Sequence, residues 1–178
     1  MTRTLVVDLQ GFKLNGNRFI FKEVAILDCT TLTQPKLYGL VFDAPFPYQV
    51  QDAKEKRQPR WTESHLGHAW DEKGIPYASI GVLLKAYLFA ADQIFVKGSE
   101  KKQWLQEFVP PTCQLDDLHD LGCPRLKTLI GDRDAESMRR SMLHVCLLFD
   151  WLCHYACRDM LDMCKKPSVA SESNTAGE

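Results

Sequence analysis

The first 45 residues contain three segments rich in β-forming residues, and the turn between the first two constrains the fold most. The segments TLVVDLQGF and RFIFKEVAILD flank the turn signal Asn15-Gly16-Asn17. β-branched and aromatic residues on both sides of such a turn are typical of an antiparallel hairpin. A third strand is predicted for KLYGLVFDAP, which ends at Pro45 and Pro47 because proline cannot donate to a strand ladder. The chain therefore begins with a sheet.

The remainder of the chain alternates between helical and strand-like segments. IGVLLKAYLFAA is apolar on all sides and predicts a buried helix, QIFVKG predicts a short strand, and EKKQWLQEF predicts a helix closed by two prolines. CQLDDLHDLGC predicts one short strand or an irregular connection. Residues 134–164 predict a long helix whose middle, MLHVCLLFDWLCHYAC, is apolar on nearly every face. The order β-β-β-α-β-α-β-α predicts an α/β domain whose mixed sheet is flanked by helices.

The composition is typical of one globular domain without a membrane span. At 178 residues, with 45% hydrophobic and 25% charged residues, the chain predicts a single domain over residues 1–164, and the polar residues 165–178 predict a disordered tail. A net charge of -1 excludes nucleic-acid binding by bulk charge alone and leaves only a local basic patch. No apolar run reaches the roughly 18 residues that cross a bilayer, and the N-terminus lacks a secretory pattern. With seven cysteines, the sequence predicts an intracellular protein, in the cytoplasm or nucleus, with reduced thiols or a metal site.

Three motifs carry a resemblance to a known family. The first strand ends in VVDLQGF, a strand and helix carry IFVKGSEKKQWL, and the last helix carries HVCLLFD. With the element order, these motifs resemble the ribonuclease-H-like fold in its DEDD-exonuclease form. That family has Asp-x-Glu at the end of the first strand, N-x-x-F-D-x-x-F/L-L in the middle motif and H-x-A-L-x-D in the last helix. The resemblance spans most of the chain.

Each motif departs from the family pattern at an acidic position. Gln10 follows Asp8 where the family has Glu, and Lys101 takes the position of the second Asp. In the last helix His144 is correctly placed, but Asp150 comes one residue late. The resemblance therefore implies a vestigial pocket made by these five residues.

The replaced residues argue against metal-dependent chemistry. Two-metal hydrolysis of a phosphodiester needs several carboxylates that converge on divalent cations. An ammonium about 4 Å from a unit charge, at an effective dielectric near 20, costs roughly 4 kcal/mol, and twice that for Mg²⁺. We therefore expect Lys101 to pair with Asp8 in place of a metal, which predicts a non-catalytic, degenerate exonuclease. The alternative is that Asp8 is an ordinary strand-end residue and Lys101 a solvated charge.

A second resemblance concerns ligands. The chain is similar, in its elements and its Cys-bearing last helix, to the Maelstrom domain, which also lacks the acidic set. That family carries a zinc cluster and binds single-stranded RNA, so the resemblance implies RNA as a partner.

Zinc is a possible cofactor on residue spacing alone. Cys113, His119 and Cys123 place three zinc-type ligands within eleven residues, and His144 or Cys146 could add a fourth. The alternative is buried free thiols, since Cys is among the most buried residue types.

Basic residues beside aromatic ones predict a contact surface for single-stranded nucleic acid, because cations track phosphates and rings stack on bases. The candidate residues are Lys54, Lys56, Arg57, Arg60, Trp61, Lys97, Lys101 and Lys102. The alternative is a mixed, solvated surface, since acidic residues interrupt these patches.

The sequence thus leaves three hypotheses. The first is a non-catalytic module that binds single-stranded nucleic acid or a protein partner. The second is an active metal-dependent nuclease that uses Asp8 and Asp150, with Glu23 or Asp28 as further ligands. The third is a zinc-stapled scaffold for protein assembly.

Overall fold

A five-stranded mixed sheet lies at the centre of the protein. The computed structural model describes residues 2–14, 18–31, 34–50, 63, 67–131 and 141–165, with the side chains of the last helix described as far as residue 155. The strands are β1 (Thr4–Lys13), β2 (Phe19–Asp28), β3 (Lys36–Val41), β4 (Gln93–Val96) and β5 (Gln114–Asp117).

The order of the strands across the sheet is β3-β2-β1-β4-β5. β2 pairs antiparallel with both β1 and β3, whereas β4 runs parallel to both β1 and β5. The predicted mixed α/β class is therefore confirmed. The Asn15-Gly16-Asn17 turn and residues 166–178 of the predicted tail lie outside the described residues, whereas Lys165 is the last residue of a helix.

The described part of the chain gives the bounds of four helices that accompany the sheet. They are α1 (Ile80–Leu88), α2 (Ser99–Leu105), α3 (Leu126–Ile130) and α4 (Ser141–Lys165), and short 3₁₀ turns lie at Tyr48–Val50, Tyr77–Ser79 and Gln106–Phe108. The sequence did not predict α3. In the described part of the chain, no helix is long and apolar enough to span a membrane.

The prediction of a wholly buried α1 is wrong. Leu84 and Leu88 are fully buried against the sheet, but Val82 and Phe89 are 73% and 78% exposed. A helix that covers one side of a sheet buries one face only, and apolar residues on its other side are left in solvent.

The sheet has a different helix on each face. Because successive strand residues point to opposite sides, Leu5, Val7 and Leu9 of β1 join the core beneath α1. Val6 points to the other side and packs with residues of α4. We call the two sides the α1 face and the α4 face. Asp8, two residues beyond Val6, also points to the α4 face.

Residues 67–76, which we call the strap, cross the end of the sheet. Trp70 is buried there, with its ring centre 4.9 Å from that of Phe12 and 5.2 Å from that of Phe46. Its indole N–H donates to the Phe46 carbonyl at 3.0 Å. Farther along the strap, Ile75 donates its backbone N–H to the carbonyl of Val41 at 2.8 Å. The strap is thus part of the core and not a free connection.

Candidate functional site

Asp8 is the centre of a buried polar cluster on the α4 face. It lies in the middle of β1 and is fully buried. The ammonium of Lys101, from α2, donates to its Oδ1, and Nδ1 of His144, from α4, donates to its Oδ2 at 2.8 Å. The ion pair that the sequence predicts between Lys101 and Asp8 is therefore present. These three residues form the Asp8 cluster, which joins three elements far apart in the chain.

The carboxyl group of Asp8 is held in its ionised form. Burial by itself raises the pKa of Asp8, because the charged form loses its hydration. The positive charge of Lys101 and the hydrogen bonds from His144 and Lys101 outweigh burial, so the pKa of Asp8 lies below its ordinary value. Both oxygens of this carboxylate already accept from a donor.

Gln10 lies beside the Asp8 cluster without joining it. It follows Asp8 by two residues on the same face of β1 and stands opposite Glu23 of β2. The side chain of Gln10 is buried, and neither its amide nitrogen nor its amide oxygen has a hydrogen-bond partner within the described structure. A buried polar group without a partner costs about 1–3 kcal/mol.

A local irregularity of β1 follows Gln10. The pairing of β1 with β2 shifts register between Gln10 and Gly11. A Cβ atom at Gly11 would lie 2.0 Å from the carbonyl oxygen of Ile20. Only glycine therefore permits the close approach of the two strands just past Gln10.

A second buried cluster lies next to Gln10 and is centred on His68 of the strap. Nε2 of His68 lies 2.7 Å from Oε2 of Glu23, and Nδ1 lies 2.9 Å from Oε2 of Glu72. An ionised carboxylate only accepts hydrogen bonds, so the protonated ring, an imidazolium, is the form that donates to both carboxylates. We call Glu23, His68 and Glu72 the His68 cluster. The backbone N–H of Ser141, at the start of α4, also donates to Glu23 Oε2, at 3.2 Å.

The two carboxylates set the charge of His68. Burial alone lowers the pKa of His68, but the hydrogen bonds and negative charges of Glu23 and Glu72 outweigh it, and the pKa lies above the ordinary 6.5. The adjacent Lys22 is fully buried, and its ammonium donates to the carbonyls of Phe42 and Glu72 at 2.7 and 2.5 Å. Burial lowers the pKa of Lys22.

The His68 cluster was not predicted from the sequence. One signal was available. FKEVAILD places Lys22 and Glu23 side by side in a strand that is otherwise apolar after them. A charged residue in a buried strand needs a partner, and His68 with Glu72, four residues apart, supplies the matching pair.

The other carboxylates of the nuclease hypothesis do not reach Asp8. Asp150 is exposed and lines a groove with Trp151. It follows His144 by six residues, which turns it about 120° around the axis of α4. Asp28, at the far end of β2, accepts a hydrogen bond from Arg3 Nε at 3.0 Å. Glu23 is taken by His68. The residues around Asp8 therefore do not fit a pair of divalent metal ions.

The predicted zinc ligands are not brought together. Cys113 packs against the core of the α1 face, whereas Cys123 is buried in the core of the α4 face. β5 begins directly after Cys113, and the sheet separates the two thiols. His119 is exposed. Among the residues that the structure describes, no group of three or more His, Cys, Asp or Glu side chains is arranged to hold a metal ion.

The predicted nucleic-acid contacts fall into two groups. The ammonium of Lys97 donates to the carbonyl of Cys123, Lys101 belongs to the Asp8 cluster, and Lys102 is half-buried on α2. The remaining candidates lie outside the described residues; they are Lys54, Lys56, Arg57, Arg60 and Trp61.

Comparisons of the chain with models of protein families and with curated proteins give no match. The function therefore has to be inferred from the side chains themselves. An ionised carboxylate whose two oxygens already accept from Lys101 and His144 suits a structural or binding role better than the coordination of a cation.

Proposed function

We propose that this protein is a ribonuclease-H-like domain of DEDD-exonuclease type that has no metal-dependent nuclease activity and binds single-stranded nucleic acid. The observation that carries the proposal is the contact between the Lys101 ammonium and the Asp8 carboxylate. The element order supports it as well: three strands, a helix, a strand, a helix and a strand precede the last helices.

The absence of hydrolysis follows from charge. Lys101 places a positive charge where a divalent cation would need a carboxylate, and Gln10 contributes no charge at all. A cation entering beside Asp8 would have to displace Lys101 and leave its ammonium within a few ångströms. Such repulsion amounts to roughly 8 kcal/mol for a dication at about 4 Å and an effective dielectric near 20.

The binding of single-stranded nucleic acid draws on the lysines near the junction of β4 and α2. Lys97, Lys101 and Lys102 fall within six residues of chain, and Lys101 belongs to the Asp8 cluster. Trp104 of α2 stacks on Phe19, with the ring centres 3.8 Å apart, and packs against the core of the α1 face, so the proposed contacts are the lysines alone. Cations track the phosphates of a single strand, and their local grouping is compatible with a net charge near zero.

Fluorescence anisotropy with labelled single-stranded RNA and DNA tests the binding. At low salt and with EDTA present, we expect both to bind, and we expect the affinity to fall as salt is added. Lys102→Glu should weaken binding several-fold, whereas Lys85→Glu, on the exposed side of α1, should leave it unchanged. If neither strand binds at low salt, the nucleic-acid proposal is wrong, and a protein partner becomes the alternative.

Incubation of the same strands with Mn²⁺ tests the absence of nuclease activity. We expect no cleavage by the unaltered protein. Cleavage that disappears in Asp8→Asn would instead establish the nuclease hypothesis.

A double variant that places carboxylates at positions 10 and 101 tests the role of Lys101 directly. Gln10→Glu combined with Lys101→Asp places three carboxylates around the position of Asp8. We expect this double variant to bind Mn²⁺, seen as a rise in Tm on adding the metal. Gln10→Glu alone keeps the ammonium and should show no such rise. Equal Mn²⁺ binding by the unaltered protein would contradict the idea that Lys101 takes the place of a metal.

A further inference from the structure

The strap is fastened to β2 by a histidine that has a carboxylate on each side. His68 is 1% exposed, and its two ring nitrogens face Glu23 and Glu72. Neither carboxylate can donate while it is ionised, so both contacts require a proton on the ring.

We propose that His68 is a pH-sensitive clasp, which holds the Glu72 side of the strap closed against the ring while it is protonated and releases that side when the proton leaves. A neutral imidazole keeps one N–H and turns a lone pair toward the other carboxylate. Two acceptors then face each other, and one of the two contacts has to break. This inference does not depend on the proposed function, since it concerns the free protein alone.

Glu72 is the partner that leaves. Its side chain is 35% exposed, so water can hydrate the carboxylate once it turns away from the ring. Glu23 is 2% exposed and also accepts from Ser141 N, so it has no comparable route to solvent. The strap therefore opens on the Glu72 side only, while His68 keeps its contact with Glu23 and α4 stays attached to Glu23.

Among the described residues, the charged groups at His68 come from β2, the strap and α4. The negative ones are Glu23 from β2 and Glu72 from the strap. The positive ones are Lys22, whose ammonium donates to the Glu72 carbonyl, and the start of α4, where the N–H of Ser141 donates to Glu23. The two carboxylates bond the ring directly, and they outweigh burial, in agreement with the raised pKa of His68.

Opening of the strap changes an identifiable surface. The strap carries Trp70, which packs on Phe12 and Phe46. It also forms one side of a groove of about 610 Å³, whose lining includes Asp43, Phe46, Tyr48, Trp70, Asp71 and Glu72. Release of Glu72 loosens this side of the groove and adds a free carboxylate to its edge.

Proton linkage determines how strap opening depends on pH. The closed state holds its proton more tightly than the open state, because the open state has lost the carboxylate of Glu72 beside the ring. Opening is therefore constant at pH values where both states are protonated. It rises up to tenfold per pH unit between the pKa of the open state and that of the closed state, because one proton is lost, and it levels off above the higher value.

NMR titration of His68 and millisecond hydrogen exchange across the strap test the clasp on the full chain. After correction for intrinsic exchange, we expect opening of residues 67–76 to rise in the pH range where His68 titrates. Glu72→Gln should lower the pKa of His68 and flatten the rise. Asp71 is a charged residue of the same strap that has no bond to His68. Asp71→Asn should therefore leave the pKa of His68 and the rise in strap opening unchanged.

Two results overturn the clasp. One is a His68 that titrates at or below 6.5, or does not titrate between pH 5 and 10. The other is corrected exchange of the strap that stays constant across the titration of His68.

Discussion

The two buried clusters on the α4 face are inverses of each other. In the Asp8 cluster a carboxylate lies between two nitrogen donors, and in the His68 cluster an imidazolium lies between two carboxylates. The first joins β1, α2 and α4, whereas the second joins the strap to β2 and the start of α4. Acid that neutralises Asp8 removes the central charge of the first cluster, and alkali that deprotonates His68 removes that of the second.

The largest effect should come from removing one side of the buried ion pair. Lys101→Met leaves the fully buried Asp8 with His144 alone. Removing one partner of a buried pair costs about 3–5 kcal/mol, because the other charge is left without compensation. We expect a loss of that size in the unfolding free energy, measured by urea denaturation. Lys102→Met, on the next residue of α2, should change it by less than about 0.5 kcal/mol.

A double variant tests whether the cost of losing Lys101 comes from its interaction with Asp8. If the cost of Lys101→Met comes from the stranded Asp8 charge, Asp8→Asn should cost less in the Lys101→Met background than in the unaltered protein. Additive effects would mean that the two charges do not interact, and the comparison between the clusters would fail.

The next effect concerns the buried carboxylate of the His68 cluster. Glu23→Gln removes one charged acceptor from the imidazolium while retaining a carbonyl oxygen for Ser141. A hydrogen bond to a charged group contributes about 1.5–3 kcal/mol, so a loss of that order is expected in denaturation at pH 6. Glu72→Gln should cost less than about 1 kcal/mol, because its partly exposed carboxylate is hydrated in the unpaired state. Equal losses would show that burial does not distinguish the two carboxylates.

Acid should weaken the Asp8 cluster while leaving His68 protonated. The pKa of Asp8 is lowered in the folded protein, so its stabilisation is fully present above the ordinary 3.8 and is lost as pH falls through the folded value. Asp8 then contributes a slope of up to about 1.4 kcal/mol per pH unit to the unfolding free energy in that window. Asp8→Asn should remove this contribution in denaturation series between pH 2 and 5. An unchanged acid slope in the variant would contradict the lowered pKa.

The sequence was sufficient for the elements whose pattern is local. Strand alternation and the turn residues predicted β1 and β2 nearly to their ends, and the apolar run before residue 92 predicted α1. Which side of α1 is exposed was not predictable, since Val82 and Phe89 are as apolar as the residues that face the sheet. Apolar residues show which side chains a helix can bury. Which of them are buried depends on the face of the helix that packs against the sheet.

The candidate site was predictable only where a motif marked it. Lys101 was paired with Asp8 because the motif spacing aligned them. His68 carries no motif, and its partners come from a strand 45 residues earlier and from its own strap. The zinc set had a suitable spacing but was not assembled, because the sheet separates Cys113 from Cys123. Spacing along an irregular segment does not specify on which face of a sheet each side chain falls.

The smallest expected effect concerns Gln10, which lies between the two clusters. Gln10 borders both, and neither of its amide atoms has a partner among the described residues. Methionine has a similar length and no hydrogen-bonding requirement, so Gln10→Met should raise the unfolding free energy by about 1 kcal/mol or leave it unchanged. Gln10→Glu is the matched control, since it adds a second carboxylate opposite Glu23 and should destabilise the protein. A loss of more than about 1 kcal/mol in Gln10→Met would mean that the amide is bonded in solution, and that the Asp8 and His68 clusters form one continuous network.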